Sequence, residues 1–204
     1  MKKYIYDEVS RNRLFNGMIF NVDEVKIKVN EHEKYHTYHT VGLHPIESVT
    51  EKCIITRQVV SKRPCVVALV KHIETNEFFI LKEFRVGAMK EEWGFVAGII
   101  DEGETAWGAI IREVQEEIGY KPKLVEQIGE SFSSSGFTDE HITYFYIEVS
   151  DTMKADKRTD NDEFISEMLV GLDNIKKMIA SGAIKNNHAK ACYLHYLLSK
   201  EGTQ

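Results

Sequence analysis

Hydrophobic and polar positions divide the chain into stretches of different period. Val25, Ile27 and Val29 alternate with charged residues, which predicts a strand over 22–29. It pairs with a preceding strand over 14–20, through a turn at Asn21-Val22-Asp23. Residues 53–60 predict another strand, and Ser61-Lys62-Arg63-Pro64 reads as a join. From Cys65 the alternation gives way to the continuous apolar run CVVALVKHI, expected of a strand buried on both faces. Turn residues Glu74-Thr75-Asn76 lead into EFFILKEFRV, a strand ending near Arg85, and residues 91–99 predict a third.

The period then lengthens. Trp107, Ile111, Val114 and Ile118 fall in one stripe at about 100° per residue, predicting a helix buried along that face. Thr105 is placed to cap its start, and Gly119 followed by Pro122 marks its end. Beyond it, KLVEQIGESF and HITYFYIEVS predict two strands joined by residues 133–140, and 154–163 is a polar, charged stretch expected to be a mobile loop. ISEMLV predicts a short strand. A helix capped by Asp173 runs to Ser181, with Gly182 as its stop, and an amphipathic helix follows over 188–200. Strands with helices for both faces predict an α/β/α sandwich with a mixed sheet, preceded by a small β appendage. The expected division is 1–60 for the appendage and 61–204 for the main domain.

Composition narrows the class. At 204 residues, 43% hydrophobic and 28% charged, the chain suits a soluble domain with a sizeable core. A net charge of −6 argues against a nucleic-acid backbone or an anionic membrane as partner. No apolar run is long enough to span a bilayer, and MKKYIYDEVSRNR lacks the apolar segment of a signal peptide. Cys53, Cys65 and Cys192 are scattered and read as reduced residues, so a cytoplasmic protein is expected. His32, His36, His39 and His44 crowd one segment, which reads as a solvated loop or polar strand face.

The chemistry concentrates on the first predicted helix. Glu113, Glu116 and Glu117 stand at offsets of three and four and gather on a face away from the apolar stripe. Three carboxylates so placed repel one another, and Arg112 is the only cation nearby. A divalent cation among them resolves the repulsion, and Mg²⁺ takes hard oxygen ligands of this kind.

Gly98, then Glu104, then Arg112-Glu113-Val114-Gln115-Glu116-Glu117-Ile118-Gly119-Tyr120 resembles the Nudix box, with tyrosine at its last hydrophobic position. The resemblance implies hydrolysis of a nucleoside diphosphate linked to another moiety. It implies Mg²⁺, with Mn²⁺ as a substitute, held by Glu113, Glu116, Glu117 and the carbonyl of Ala97. It also implies that Arg112 orients the acidic groups and Glu104 fixes the loop.

Outside the box the chain resembles the ADP-ribose pyrophosphatase branch. TRQVVSKRPCVVALV is similar to its Arg-Glu-Val-Val segment, KEFRVG to its Gln-Tyr-Arg segment and GFTDEHI to its Gly-Phe-Ser-Asp-Glu loop. Gly182 and Ile184 fit its closing pattern. By that likeness Arg57, Arg85 and Glu140 contact substrate, with a surface ion pair to Glu83 or Glu92 as the other reading of Arg85; the 154–163 loop supplies the general base, Glu163 ahead of Asp162, and the appendage pairs two copies as a homodimer. Gln58, Gly94, Val96 and Ser135 stand where the branch has glutamate, glutamate, proline and proline; these departures bear on the sugar end and leave the carboxylate cluster intact. Phe132, Phe137 and Tyr144 are expected in the core, with stacking on a base as the other reading.

The expected activity is therefore hydrolysis of ADP-ribose to AMP and ribose 5-phosphate, with a small-molecule nucleotide as the only partner besides a second copy. The alternatives are the same reaction on another nucleotide sugar or a dinucleotide, and a non-catalytic ADP-ribose sensor. A pure binder needs no triple glutamate cluster.

Overall fold

The computed structural model describes residues 5–17, 20–30, 48–49, 52–157 and 165–201. His32, His36, His39, His44 and Glu163 lie outside them. The chain divides into two compact units, 1–62 with 134–140, and 63–133 with 141–204.

The first unit is an antiparallel sheet of β1 (Ile5–Asn16), β2 (Phe20–Asn30), β3 (Ser48–Val49) and β4 (Lys52–Lys62), in the order β1-β2-β4-β3. The first turn is not the one predicted from Asn21-Val22-Asp23. Asn16 pairs with Asn21 and the Gly17 N–H donates to the Phe20 carbonyl at 3.1 Å, so the reversal follows Asn16-Gly17, a stronger turn signal. Asp23 then sits inside β2, buried, and takes hydrogen bonds from the guanidinium groups of Arg13 and Arg11. These hold its carboxyl below the usual range, Arg13 first, against the opposing effect of burial. Residues 134–140 belong to this unit through backbone bonds between Val60 and Phe137 and between Asp139 and Val60.

The second unit is built on β5 (Cys65–His72), β6 (Glu77–Arg85), β7 (Lys90–Gly94), β8 (Val96–Ile99), β9 (Leu124–Phe132), β10 (His141–Val149) and β11 (Ile165–Val170). The order is β11-β6-β5-β10-β9, with β7 on β6 and β8 on β5. Among the described strands of this sheet only β5 and β10 pair in parallel, from Cys65–Ile142 to His72–Val149, which makes the sheet mixed.

The helices are α1 (Ala106–Ile118), α2 (Leu172–Ala180) and α3 (Asn187–Glu201). Alternate residues of β5 divide between two cores, as a doubly covered strand requires. Val66, Ala68 and Val70 pack with Ala109, Ile110, Val114 and Ile118 of α1. Val67 and Leu69 pack with Ile175 of α2 and with Ala189, Cys192 and Tyr196 of α3. The α/β/α sandwich predicted for the main domain is the one observed. No helix among the described residues is long and apolar enough to cross a membrane.

Several local expectations are corrected. Residues 91–99 are two strands, because β5 and β6 pair only at Lys71–Phe78 and His72–Glu77 and then diverge. The segment leaves β6 at Gly94 and joins β5 at Val96, with Phe95 dropped into the core between them. On α1 the buried face is turned toward the glutamates: Trp107 and Ile111 remain 44% and 42% exposed, while Ile110 and Glu117 are buried.

Asp173 does not cap α2, whose N-cap is Gly171 with no side-chain bond, and Asn186 Oδ1 accepts from the Ala189 N–H at the start of α3. The start of the 154–163 stretch is tied down, since Lys154 bridges Tyr120 and the Ala155 N–H donates to the Gly119 carbonyl at 2.8 Å. Tyr144 is core, but Phe132 and Phe137 are exposed. Burial pushes the Cys192 thiol up to about 12.

Candidate active site

β8 delivers the chain into the loop before α1, and the loop and the helix meet at Arg112. Thr105 Oγ1 accepts from the Gly108 N–H at 3.1 Å and starts the helix, while Gly119 ends it in the left-handed conformation (φ 73°). One turn of α1 faces β8, so side chains at 113, 116 and 117 are presented to the end of that strand.

Arg112 spreads its guanidinium over four acceptor groups. Nε and Nη2 donate to the two oxygens of Glu104 at 3.1 and 3.0 Å, a bidentate pair. Nη1 donates to Glu113 Oε1 at 2.6 Å and Glu116 Oε2 at 3.0 Å, and Nη2 also reaches the Ile99 carbonyl at 3.0 Å. Glu104 raises the affinity of Arg112 for its proton most, ahead of Glu113 and against desolvation, so the guanidinium stays charged. Reciprocally, Arg112 holds the Glu104 carboxyl below the usual range, opposed by partial burial and helped by the Asp101 N–H, which donates to Oε2 at 3.1 Å.

Glu117 is only 5% exposed and accepts from the Ala97 N–H at 3.2 Å. That bond explains why a charged residue lies on the packed face of α1: the end of β8 supplies a polar partner there. Gly98 makes the approach possible, because a Cβ at this position would collide with the Glu113 carboxylate. Three carboxylates and one arginine from fewer than two turns of α1 are thereby held against one strand end.

A family model described as the NUDIX domain matches residues 62–189. The chain belongs to the NUDIX domain family. The ADP-ribose pyrophosphatase of Bacillus subtilis (strain 168) is 29% identical over 150 residues, 73% of this chain and 80% of that protein. The methanol dehydrogenase activator of Bacillus methanolicus is 26% identical over 125 residues, 61% of this chain and 67% of that protein. A crystal structure titled as an ADP compounds hydrolase superposes with a TM-score of 0.68 at 15% identity, covering 97% of this chain and 95% of the other, and shows the same fold.

The chain is thus a Nudix hydrolase, and Arg112, Glu113, Glu116 and Glu117 of the Nudix box come together in it with Ala97, the residue before the box. The other residues singled out from the sequence lie on other elements. Arg85 ends β6 and pairs with Glu83 at 2.7 Å. Arg57 lies in β4 opposite Val25, and Glu140 takes an ion pair from Lys62 at 2.5 Å; both belong to the first unit.

Sequence reasoning missed the Ile99 carbonyl as a partner of Arg112, since a backbone acceptor leaves no side-chain signature. It also missed a second group of ligand-type residues, His72, Glu74 and Asp151. Glu74 was legible only as a turn residue, and Asp151 is remote in sequence.

Proposed function

We propose that this Nudix hydrolase cleaves the pyrophosphate bond of a nucleoside diphosphate sugar, ADP-ribose first, releasing AMP and ribose 5-phosphate in a Mg²⁺-dependent reaction that Mn²⁺ also supports. The observation that carries the reading is the gathering of Glu113, Glu116 and Glu117 about Arg112 and the end of β8. It is supported by the relative named an ADP-ribose pyrophosphatase.

The residues present fit the ion. All three side chains are hard oxygen donors, and the bare Cα of Gly98 leaves the space that the Glu113 carboxylate fills. With the Ala97 carbonyl they would form the ligand set. When bound, the ion withdraws charge from the pyrophosphate and makes an attacking water more acidic.

The protein's own part is positioning. Arg112 fixes Glu113 and Glu116 in direction, Glu104 fixes Arg112, and the Ala97 N–H fixes Glu117. Family likeness assigns proton abstraction to Glu163 and substrate contacts to Arg57, Arg85 and Glu140. We further assign the protein to the cytoplasm, as a homodimer paired through residues 1–60. Its partners are nucleotides rather than nucleic acid or membrane, in keeping with a net charge of −6.

The test is a panel of nucleotide sugars and dinucleotides with Mg²⁺, scoring AMP or GMP release. ADP-ribose should give AMP at the highest kcat/KM, and chelation should abolish turnover. Faster turnover of another substrate would transfer the assignment to it, and ADP-ribose binding with no turnover of any substrate would make the protein a sensor.

A further inference from the structure

A second group of ligand-type side chains lies in the Nudix domain at the far end of β5. The parallel register of β5 and β10 sets His72 beside Val149, and the Ile73 N–H donates to the Val149 carbonyl at 3.0 Å. The turn after β5 and the residues after β10 therefore emerge together, bringing Glu74 and Asp151 to His72. Their ligand atoms all lie within 4.8 Å of one another.

His72 is 3% exposed, and its Nε2 is buried without a hydrogen-bond partner. It points between Glu74 Oε2 and Asp151 Oδ1, 3.5 Å from each. Buried polar atoms are nearly always satisfied, so an orphaned ring nitrogen facing two carboxylates requires a reason. A tetrahedral ion with ligands at about 2.1 Å sets them about 3.4 Å apart, close to the two separations of 3.5 Å from His72 to its carboxylates.

The surroundings agree. Nδ1 lies 3.1 Å from Thr75 Oγ1, an outer partner of the kind that fixes the ring of a metal-binding histidine. Phe79 and Tyr120 meet the imidazole edge-on and form a dry wall. Ser150 Oγ donates to Glu74, and the Asp151 N–H approaches Glu74 Oε2 at 3.4 Å. Glu74 and Asp151 are 40% and 49% exposed, which opens the group to solvent. Among the described residues Lys154 competes for Asp151, with Nζ 2.8 Å from Oδ1. Its side chain is 63% exposed, and such surface pairs are weak.

We propose that His72, Glu74 and Asp151 form a second cation site, separate from the box carboxylates, that takes Zn²⁺ through one nitrogen and two oxygens with a position left for water. One imidazole with two carboxylates suits a borderline ion, whereas Mg²⁺ prefers oxygen alone. Tyr120 Oη reaches Asp151 Oδ1 at 3.4 Å, so the ion would tie the second residue beyond α1 to the ends of β5 and β10.

Metal-stripped full-length protein is titrated with Zn²⁺ by calorimetry in millimolar Mg²⁺, and with Co²⁺ by visible absorption. One Zn²⁺ equivalent should bind despite Mg²⁺, and Co²⁺ should give the intense band of four-coordination. His72→Asn should remove both, weakening Zn²⁺ more than the roughly 10- to 100-fold that loss of an outer partner costs, the loss expected for Thr75→Val. Glu74→Gln and Asp151→Asn, at exposed positions, serve if His72→Asn does not fold. Glu116→Gln should leave binding unchanged and Lys154→Ala should tighten it. Zn²⁺ binding that persists in both Glu74→Gln and Asp151→Asn would overturn the site. So would nitrogen NMR showing His72 doubly protonated with Zn²⁺ in excess.

Discussion

Arg112 is one cation among three carboxylates, and the residues around it do different work. Glu116 stands near the surface, whereas Glu117 is buried on the Ala97 N–H. Glu116→Gln should therefore lower kcat by about 10²-fold or more with an unchanged melting temperature. Glu117→Gln should lose as much activity and some stability, because an amide replaces a buried, hydrogen-bonded carboxylate. Near wild-type turnover of both at saturating Mg²⁺ would remove the box carboxylates from the reaction.

Gly98→Ala should act without replacing a carboxylate: the new methyl displaces Glu113, so the Mg²⁺ concentration for half-maximal rate should rise. An unchanged Mg²⁺ dependence would mean that Glu113 is not a ligand. Acid stability tests Glu104, whose carboxyl is held below its usual 4.5 chiefly by Arg112. A depressed folded pKa contributes stability above 4.5 and loses it as pH falls through the folded value. The denaturation midpoint of the wild type should thus fall more steeply below that pH than that of Glu104→Gln, and parallel curves would contradict the linkage.

At the scale of the element, α1 depends on its two ends. Thr105→Ala removes the bond to the Gly108 N–H and should cost about 1 kcal/mol. Gly119→Ala places a side chain at φ 73° with its Cβ 3.1 Å from the Ala155 carbonyl oxygen, and should cost about 1–2 kcal/mol. Urea midpoints read both, and a neutral Gly119→Ala would mean that the helix end relaxes. The same element shows how a helical period is misread. Trp107 and Ile111 share a stripe with Val114 and Ile118, yet the helix packs a quarter turn or so away, because Glu117 gains a backbone partner on the sheet side.

At the scale of the molecule, the first unit is four strands in which Val25 is the buried apolar residue among those described. Val9, Leu14, Phe15 and Phe20 remain exposed on it. A sheet with so little core is marginal alone, and exposed apolar surface of this kind favours association. Light scattering should give the mass of a dimer, and Phe15→Ser with Leu14→Ser should shift it toward monomer. A wild type that stays monomeric at working concentration would exclude pairing through this unit.

The sequence by itself determined the family, the α/β/α sandwich and the place of the carboxylate helix in it. Those follow from local order: continuous apolar runs, a helical period, a cap at Thr105, a stop at Gly119 and acidic residues at offsets of three and four. Tertiary structure alone decided how α1 is rotated, where residues 91–99 break into two strands, and that Arg112 takes the Ile99 carbonyl along with the carboxylates. It also decided that His72, Glu74 and Asp151 meet. Each of these depends on pairing between segments far apart in the chain. A parallel register between β5 and β10 leaves no periodicity in either strand, so the ends it brings together are set only when the sheet forms.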